Sequence, residues 1–420
     1  MWVFLVLAAV LTVYGSATCE ALSHNPKHTR VKDLVAASWY TGWHAGDVPL
    51  DKVSWSKYTH VTYSFAETAP NVNNLSLADS DIELLPQFVS TAHKNNVKAL
   101  VSVGGWTGGL YYSANVANAA NRTAFIKTIT GLATNYSLDG IDFDWEYPNN
   151  AGIGCNTFGP NDVANFLSFL QELRSDPVGS KLFLTAATSI FPWADASGNS
   201  ATNLTGFAHV LDYIAIMNYD VWGPWSATTG PNGPLNDTCT SSANKAGSAV
   251  SGVAAWHAAG IPFDQIVLGV PGYGHSFRVA PKDALPHGAD GALATFVKFD
   301  ANDQPVGDSW DDPDPGPDEC GNPQGPEGDF DYWGLIDGGF LTQEGKAAKG
   351  IVYVYDTCSQ TPAVYNQTSQ VYVSYDDAKS FAAKGQFIKS TGLRGFAMWE
   401  TGGDYKDTLI DSIRSTGGFS

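Results

Sequence analysis

The chain has 420 residues, of which 44% are hydrophobic, enough for two ordinary domains or one large domain carrying an insertion. Its 23 basic and 42 acidic residues give a formal charge of −19, as expected for an acidic, solubilising surface or a site for a neutral substrate. This charge argues against nucleic acid and anionic membranes as partners, because both require a basic face.

The N-terminus has the pattern of a secretory signal peptide, which we assign to residues 1–18. An apolar run at 2–14 is too short to span a bilayer comfortably, and the small residues Gly15, Ser16 and Ala17 follow it. A membrane anchor is the alternative. We expect a secreted, extracellular protein that makes no membrane contact once the leader is removed. Export as a glycoprotein is also indicated by sequons at Asn74, Asn121, Asn135, Asn203, Asn236 and Asn366.

Four cysteines follow the leader region, namely Cys155, Cys239, Cys320 and Cys358, while Cys19 lies next to its predicted end. An even number of cysteines in an exported chain suits two disulfides, although the sequence does not give their pairing. No two cysteines have the CxxC spacing of a zinc site, and we expect neither a metal nor a cofactor.

Short β-branched and aromatic runs alternate with helical patterns along most of the chain. Apolar residues recur at helical spacing in 122–134 and 162–174. Alternating strands and helices predict a parallel sheet, and eight such units predict a closed TIM barrel. An open doubly wound sheet is disfavoured because no Gly-rich phosphate turn follows the first strand. The predicted strands are 35–43, 60–66, 98–106, 140–147, 181–189, 210–220, 266–274 and 395–401.

The pattern breaks between 277 and 370, an interval too long for a structureless loop in a compact domain. It is rich in Pro, Gly and Asp at 308–328 and has strand-like pieces at 294–299 and 350–355, before a helical pattern returns at 376–391. The predicted fold class is therefore α/β, a (β/α)8 TIM barrel with a small α+β insertion domain between strands seven and eight. The predicted boundaries are 30–276 and 371–420 for the barrel and 277–370 for the insertion.

An acidic segment on the fourth predicted strand, from Asp139 to Pro148, is the most informative part of the chain. Side chains alternate along a strand, so Asp142, Asp144 and Glu146 share one face. In a barrel this face points inward and leads to the C-terminal rim, where barrel active sites lie. Asp139 has the opposite parity and is expected to have a structural role at the strand start. The apolar residues of the outer face are Ile141, Phe143 and Trp145.

Carboxylates spaced roughly 7 Å apart along one strand face cannot all ionise cheaply. Repulsion and desolvation should raise the pKa of at least one of them and leave protons shared within the group. A carboxylic acid then stays protonated near neutral pH and can act as a general acid. The alternatives are a solvated run of charges, which the alternating aromatic residues disfavour, and a magnesium or calcium site.

The pattern of Asp139, Asp142, Asp144 and Glu146 resembles the signature of glycoside hydrolase family 18, the chitinases. Other segments that resemble the family appear in its order along the chain, and segment 277–370 resembles the chitinase insertion domain. These segments are Ser102–Trp106 (with Gly104 and Gly105), Met217–Asp220, Gly269–Gly274 and Gly395–Glu400. The resemblance covers nearly all of the chain after the leader. It implies a secreted, fungal-type chitinase.

The resemblance also implies roles for the acidic residues. Glu146 would protonate the glycosidic oxygen while the 2-acetamido group of the substrate attacks the anomeric carbon, with retention of configuration. Asp144 would orient that acetamido group, and Asp142 would share a proton with Asp144. Tyr219 and Asp220 match the pair that holds the acetamido group, and ordinary packing at a strand end is their alternative reading.

Trp399 would form the floor on which the reacting sugar stacks, unless it is simply a core tryptophan. His275 stands where the family has Arg, which predicts a pH-sensitive group at that position, and Gly272 replaces a bulkier residue. The further substrate-binding positions that the resemblance implies are Tyr40, Phe65, Trp106, Tyr147, Met217, Asp220 and Tyr273, with Tyr355 and Asp356 from the insertion.

The leading hypothesis is a monomeric chitinase that acts on chitin or chitooligosaccharides, which are β-1,4-linked N-acetylglucosamine chains. An endo-β-N-acetylglucosaminidase acting on N-glycans shares the acidic signature, but the insertion and the aromatic cleft positions favour a long polymer. A non-catalytic, chitinase-like lectin is the third reading, and the intact Glu146 argues against it. The sequence leaves endo and exo action open.

Overall fold

A computed structural model describes residues 33–288 and 292–419, and the predicted signal peptide lies outside these ranges. Within them, none of the helices is long and apolar enough to cross a membrane. The strands are β1 (Val35–Thr41), β2 (His60–Thr68), β3 (Leu75–Ser76), β4 (Lys98–Gly104), β5 (Gly140–Asp144), β6 (Phe183–Thr188), β7 (Tyr213–Ile216), β8 (Ile266–Pro271), β9 (Tyr273–Arg278), β10 (Asp329–Asp331), β11 (Ile351–Asp356), β12 (Thr361–Asn366), β13 (Val371–Ser374) and β14 (Gly395–Trp399). The α-helices are α1 (Leu85–Lys94), α2 (Tyr112–Val116), α3 (Ala119–Tyr136), α4 (Asp162–Ser175), α5 (Thr205–Ala208), α6 (Ala249–Ala258), α7 (Pro281–Ala284), α8 (Tyr332–Asp337), α9 (Ala378–Thr391) and α10 (Thr408–Gly417).

Eight parallel strands form a closed barrel in the order β1, β2, β4, β5, β6, β7, β8 and β14. The ring closes because β1 pairs with β14 on one side and with β2 on the other, while the short β3 adds an antiparallel partner to β2. Helices surround this sheet, as expected for alternating strand and helix patterns. The predicted (β/α)8 TIM barrel is confirmed.

Strand alternation separates two apolar cores in the barrel. Inside the ring, Trp39, Tyr213, Val267 and their neighbours form a small cluster. Outside it, Ile141, Phe143 and Trp145 of the acidic segment belong to the large core between sheet and helices. The outward orientation predicted for these three residues is confirmed, which leaves Asp142 and Asp144 facing the barrel interior.

The seventh predicted strand is in fact two strands that belong to different sheets. β8 ends at Pro271, and the backbone of Gly272 bonds to Trp399 on one side and to Tyr332 on the other, so the chain leaves the barrel there. β9 then joins a separate antiparallel sheet in the order β10, β9, β13, β12 and β11. This sheet runs from Tyr273 to Ser374 and so extends beyond the predicted segment 277–370 at both ends.

The strand-like piece predicted at 294–299 is not a strand. Val297 and Phe299 pack on the small core of the insertion, but their segment is held by isolated bonds, such as that from the backbone N–H of Thr229 to the oxygen of Val297. The other predicted piece, 350–355, is confirmed as β11.

Two disulfides join the insertion to loops of the barrel. Cys155, on the loop after β5, bonds to Cys320, and Cys239, on the loop after β7, bonds to Cys358 in the turn between β11 and β12. The bonds span sequence separations of 165 and 119 residues, which explains why the sequence alone does not give their pairing. The prediction of two disulfides is confirmed.

Candidate active site

Asp142 lies at the base of the acidic row and is fixed by three donors from other strands. Its carboxylate accepts hydrogen bonds from the indole of Trp39 at 3.1 Å, the hydroxyl of Ser102 at 3.0 Å and the hydroxyl of Thr185 at 2.6 Å. Burial raises the pKa of Asp142, and the three donors oppose that shift. Among residues 33–288 and 292–419, no group of three His, Cys, Asp or Glu side chains is arranged to hold a metal ion.

Asp144 ends β5, and Glu146 follows two residues later, so the row rises from the interior to the rim of the barrel. Burial, together with the negative charges of Glu146 and Asp142, raises the pKa of Asp144 well above its usual range. The buried Oδ1 atom of Asp144 has no hydrogen-bond partner among the described residues. An oxygen of this kind is costly to bury alone and is therefore a natural acceptor for a ligand N–H group.

Glu146 has the protonation behaviour of a general acid. Burial raises the pKa of Glu146 to about 7, the Tyr147 hydroxyl opposes the shift, and the negative charge of Asp220 adds to it. A carboxylic acid with this pKa holds its proton up to near-neutral pH and can act as a general acid there. The structure thus brings Asp142, Asp144, Glu146 and Tyr147 together as the sequence predicted.

Two glycines allow β4 to end directly beside β5. Gly104 has φ +103°, and a Cβ atom there would lie 2.1 Å from the backbone oxygen of Asp144. Gly105 has φ +87°, and its Cβ would meet the ring of Phe65 at 2.9 Å, while its N–H donates to the same Asp144 oxygen. Both glycines therefore hold the end of the acidic strand in place.

We expect Gly104→Ala to lower the free energy of unfolding by about 2–5 kcal/mol, because a side chain at positive φ is strained and its Cβ meets fixed backbone. Chemical denaturation measures this loss. Gly46→Ala is the matched control, since a Cβ at Gly46 meets nothing within 4 Å. Equal stability of the two variants would contradict the role given to Gly104.

Aromatic rings line the floor and one side of the site. Trp399, at the end of β14, stacks on Phe65 with ring centroids 5.5 Å apart and packs against Trp39 at 6.0 Å. Trp43 continues the row by stacking on Phe65 at 6.1 Å and is 45% exposed. Trp399 is half-buried and is not enclosed as a core tryptophan would be, and its role as the floor for a sugar ring stays a prediction.

Tyr219, Asp220 and Tyr273 form the opposite side of the site. Tyr219 is buried and packs edge-on against Tyr273, whose hydroxyl donates to Asp220 at 2.6 Å. His275 bridges Asp220, at 2.8 Å from Nε2, and Asp329 of the insertion, at 2.6 Å from Nδ1. The insertion thereby contributes to the wall of the site.

His275 differs from its predicted role. Burial alone would lower the pKa of His275, but the carboxylates of Asp329 and Asp220 outweigh burial and raise it to about 10. The ring therefore stays an imidazolium around neutral pH and serves as a fixed positive charge between two acids. The pH-sensitive group that the sequence predicted is replaced by a constant cation, as an Arg would be.

We expect His275→Gln to lower the free energy of unfolding by roughly 1–3 kcal/mol at pH 6, a range that allows for the partial exposure of Asp220. Because the pKa of His275 rises on folding from 6.5 to about 10, its contribution is complete below pH 6.5 and is lost as the pH rises through 10. The deficit of the variant should shrink over that interval in unfolding curves. A deficit that does not change with pH would contradict this assignment. His93→Gln is the control, because His93 pairs with Asp139 at an exposed position.

Three predicted substrate-binding residues lie away from the acids. Tyr40 points outward from β1, is 2% exposed and packs on Phe88 of α1, so its assignment to the cleft is wrong. Tyr355 and Asp356 lie on β11, which β12 and β13 separate from β9, and they bond to Gln360 and to the N–H of Cys358. These assignments are also wrong, because the outer edge of the insertion sheet does not face the acidic row.

The other predicted residues lie near the barrel mouth or at its base. Met217 packs against the interior cluster, as Trp399 does, and Trp106 is 48% exposed beyond the end of β4. Asp139 accepts the backbone N–H of Ala99 at 2.9 Å, in keeping with its predicted structural role.

Sequence reasoning missed several residues that shape the site. Ser102 lies in a motif that was recognised, and Trp39, next to the predicted Tyr40, is the residue of this pair that faces the barrel interior. Asp329 carries no sequence signal, because 54 residues separate it from His275. Trp43 is exposed two residues beyond the end of β1, outside the recognised motifs.

Comparison with known proteins places this geometry in a family. The model of the Glycosyl hydrolases family 18 matches residues 36–404. A chitinase-like effector of Moniliophthora roreri is 50% identical over 385 residues, which cover 92% of this chain and 93% of that protein. Chitinase A1 of Niallia circulans is 32% identical over 77% of this chain and 43% of its own length. The crystal structure of a chitinase from Rhizomucor miehei superposes with a TM-score of 0.81 at 32% identity, covering 91% of this chain and 99% of that one. The chain therefore belongs to glycosyl hydrolase family 18, the family of these chitinases.

Proposed function

We propose that the protein is an active chitinase that hydrolyses β-1,4-linked N-acetylglucosamine chains with retention of configuration. The observation that carries this proposal is the row of buried Asp142, buried Asp144 and half-buried Glu146 at the barrel mouth, with the pKa of Glu146 raised to about 7. Such a row supplies a proton at one end and an unpaired carboxylate oxygen next to it.

The residues divide the reaction between them. With a sugar on Trp399, Glu146 donates its proton to the glycosidic oxygen as the bond to the leaving sugar breaks. The acetamido oxygen of the same sugar attacks the anomeric carbon, and Asp144 accepts the acetamido N–H through the free Oδ1 and stabilises the positive charge that develops. Water then opens this intermediate after giving a proton to Glu146, which restores the acid.

A sugar-binding protein without turnover is the second candidate, because relatives of this chain in Moniliophthora are described as chitinase-like effectors. The complete row of acids favours the enzyme. Incubation with the N-acetylglucosamine hexamer, followed by product analysis over time, separates the two functions. Release of shorter oligomers supports the chitinase, whereas binding without release supports the second candidate. Cleavage of a high-mannose glycoprotein in place of the hexamer would favour an N-glycan-trimming enzyme.

We further propose that the protein acts outside the cell as a glycosylated monomer. Support comes from the leader-like residues 1–18, the sequons and the two disulfides, which persist in oxidising compartments. Mass spectrometry of the protein from culture medium, with and without enzymatic deglycosylation, tests the export and the modification. Detection in the cell extract alone would refute the export.

A further inference from the structure

A hairpin of the insertion, residues 308–328, leaves the antiparallel sheet beside the candidate active site; we call it the strap. Its base is closed by the carboxylate of Asp311, which accepts the backbone N–H groups of Gly307, Glu327 and Gly328. The next residue, Asp329, pairs with His275 in the wall of the site. The strap therefore starts at the wall that contains Asp220.

The tip of the strap is covalently attached to the loop that carries the general acid. Asp318 shapes a tight turn by accepting the N–H groups of Cys320 and Asn322. Cys320 is bonded to Cys155, with the two Cα atoms 5.6 Å apart. The neighbouring Asn156 donates to the backbone oxygen of Glu146 at 3.2 Å. The disulfide therefore fixes the tip of the strap to the loop that follows Glu146.

Between its two ends the strap contacts the loops after β1 and β2. The indole of Trp310 stacks on His44 with ring centroids 3.7 Å apart and donates to Asp47 at 3.1 Å. Further along, Glu319 lies near Glu67, a β2 residue two positions beyond Phe65: burial raises the pKa of Glu67, and the negative charges of Asp79 and Glu319 add to the shift. The strap thus lies on the side of the cleft where Phe65 and the exposed Trp43 extend the aromatic row.

The contacts of the strap join two sides of the cleft, because its base adjoins the pair of Asp329 and His275 while Trp310 and Cys320 contact the loops after β1 and β5. The insertion leaves the barrel between β8 and β14, and β14 lies four strands from β5 in the eight-strand ring. The chain from β5 to Cys155, the disulfide and the strap thus form one covalent connection between the loop that follows Glu146 and the wall that contains Asp220. A polymer cannot be laid along its length into a cleft that such a connection encloses at one end; it has to enter by a chain end.

We propose that the strap makes this protein act on the ends of chitin-type chains and on short oligosaccharides rather than at internal bonds. The inference rests on the proposed function, because it specifies which form of that substrate the site admits. The disulfide is the essential element: the strap is rich in Pro and Gly and mostly exposed, so without Cys320 its tip has few contacts to hold it across the cleft.

The test compares wild type with Cys155→Ser/Cys320→Ser, in which the strap is released. The matched control is Cys239→Ser/Cys358→Ser, which removes the other disulfide between insertion and barrel but leaves the strap closed. The substrate is a soluble carboxymethyl chitin, and the readout is the loss of viscosity for each reducing end released. We expect this ratio to be several-fold higher in the strap variant than in the other two proteins, with turnover of the tetramer similar in all three. Equal ratios in wild type and strap variant would overturn the proposal.

A binding measurement keeps the proposal testable without turnover. An N-acetylglucosamine hexamer blocked at both ends with bulky groups should bind the strap variant, while wild type should bind only the unblocked hexamer. Wild type that binds both forms equally would overturn the strap's role even if hydrolysis is seen. Wild type that rejects the blocked hexamer but never cleaves the free one would support the strap and refute the proposed chitinase activity.

Discussion

Glu146→Gln is expected to reduce turnover of the N-acetylglucosamine tetramer by about 100- to 10,000-fold, because an amide cannot donate the proton that the leaving oxygen requires. Gln has nearly the same shape, so folding and sugar binding should be retained. The measurement is kcat on the tetramer together with its dissociation constant by calorimetry. Near-normal hydrolysis in this variant would refute the assignment of the acid.

The same proton should limit activity at high pH in the wild-type enzyme. Burial raises the pKa of Glu146 to about 7, so the reactive protonated form is lost as the pH rises through that value. We expect kcat/KM to fall above pH 7 and expect the residual activity of Glu146→Gln to lack this decline. A plateau extending to pH 9 in the wild-type enzyme would contradict the proposed role.

Asp144→Asn is expected to lower kcat by about 100- to 1,000-fold, since it removes the charge that stabilises the intermediate. The amide oxygen of Asn can still accept the acetamido N–H, so KM should change little. The informative readout is therefore the separate effect on kcat and KM. A large rise in KM with unchanged kcat would show that Asp144 only binds the substrate.

Asp139→Asn is the matched control for both variants, because Asp139 belongs to the same acidic segment but lies at the base of β5. Its carboxylate accepts the backbone N–H of Ala99 and faces His93, and it is on the opposite side of the strand from the acidic row. Turnover by this variant should equal that of wild type. A loss comparable with that of Asp144→Asn would show that charge anywhere in the segment matters, and would contradict the division of roles.

The acidic row could be predicted from the sequence because strand alternation fixes which side chains share a face. Ile141, Phe143 and Trp145 are apolar, so only one orientation buries them against the helices, and Asp142 and Asp144 must then face the interior. The same logic fails on β1, where both faces are apolar: Trp39 faces inward and Tyr40 outward, but the pattern does not distinguish them. Tyr40 was assigned to the cleft by resemblance, and strand alternation on β1 gave no ground for correcting that assignment.

Residues of the insertion were harder to predict, because its contacts join positions distant in the chain. Tyr355 and Asp356 were assigned to the cleft by resemblance, yet the strand order places them at the outer edge of the insertion sheet. Conversely, Asp329 reaches the site only through its pairing with His275. Which disulfides form is likewise decided by the tertiary fold, so the strap could not be inferred from cysteine spacing.

The most direct test of the account is the configuration of the first product, observed by proton NMR immediately after the enzyme is added to the N-acetylglucosamine tetramer. The acetamido group attacks from the face opposite the leaving sugar, and water then attacks from the face that the leaving sugar occupied, so the β-anomer should appear first and then mutarotate. A reaction that yields the α-anomer first would mean that water attacks directly from the opposite face. That result would contradict the roles assigned here to Asp144 and to the acetamido group of the substrate.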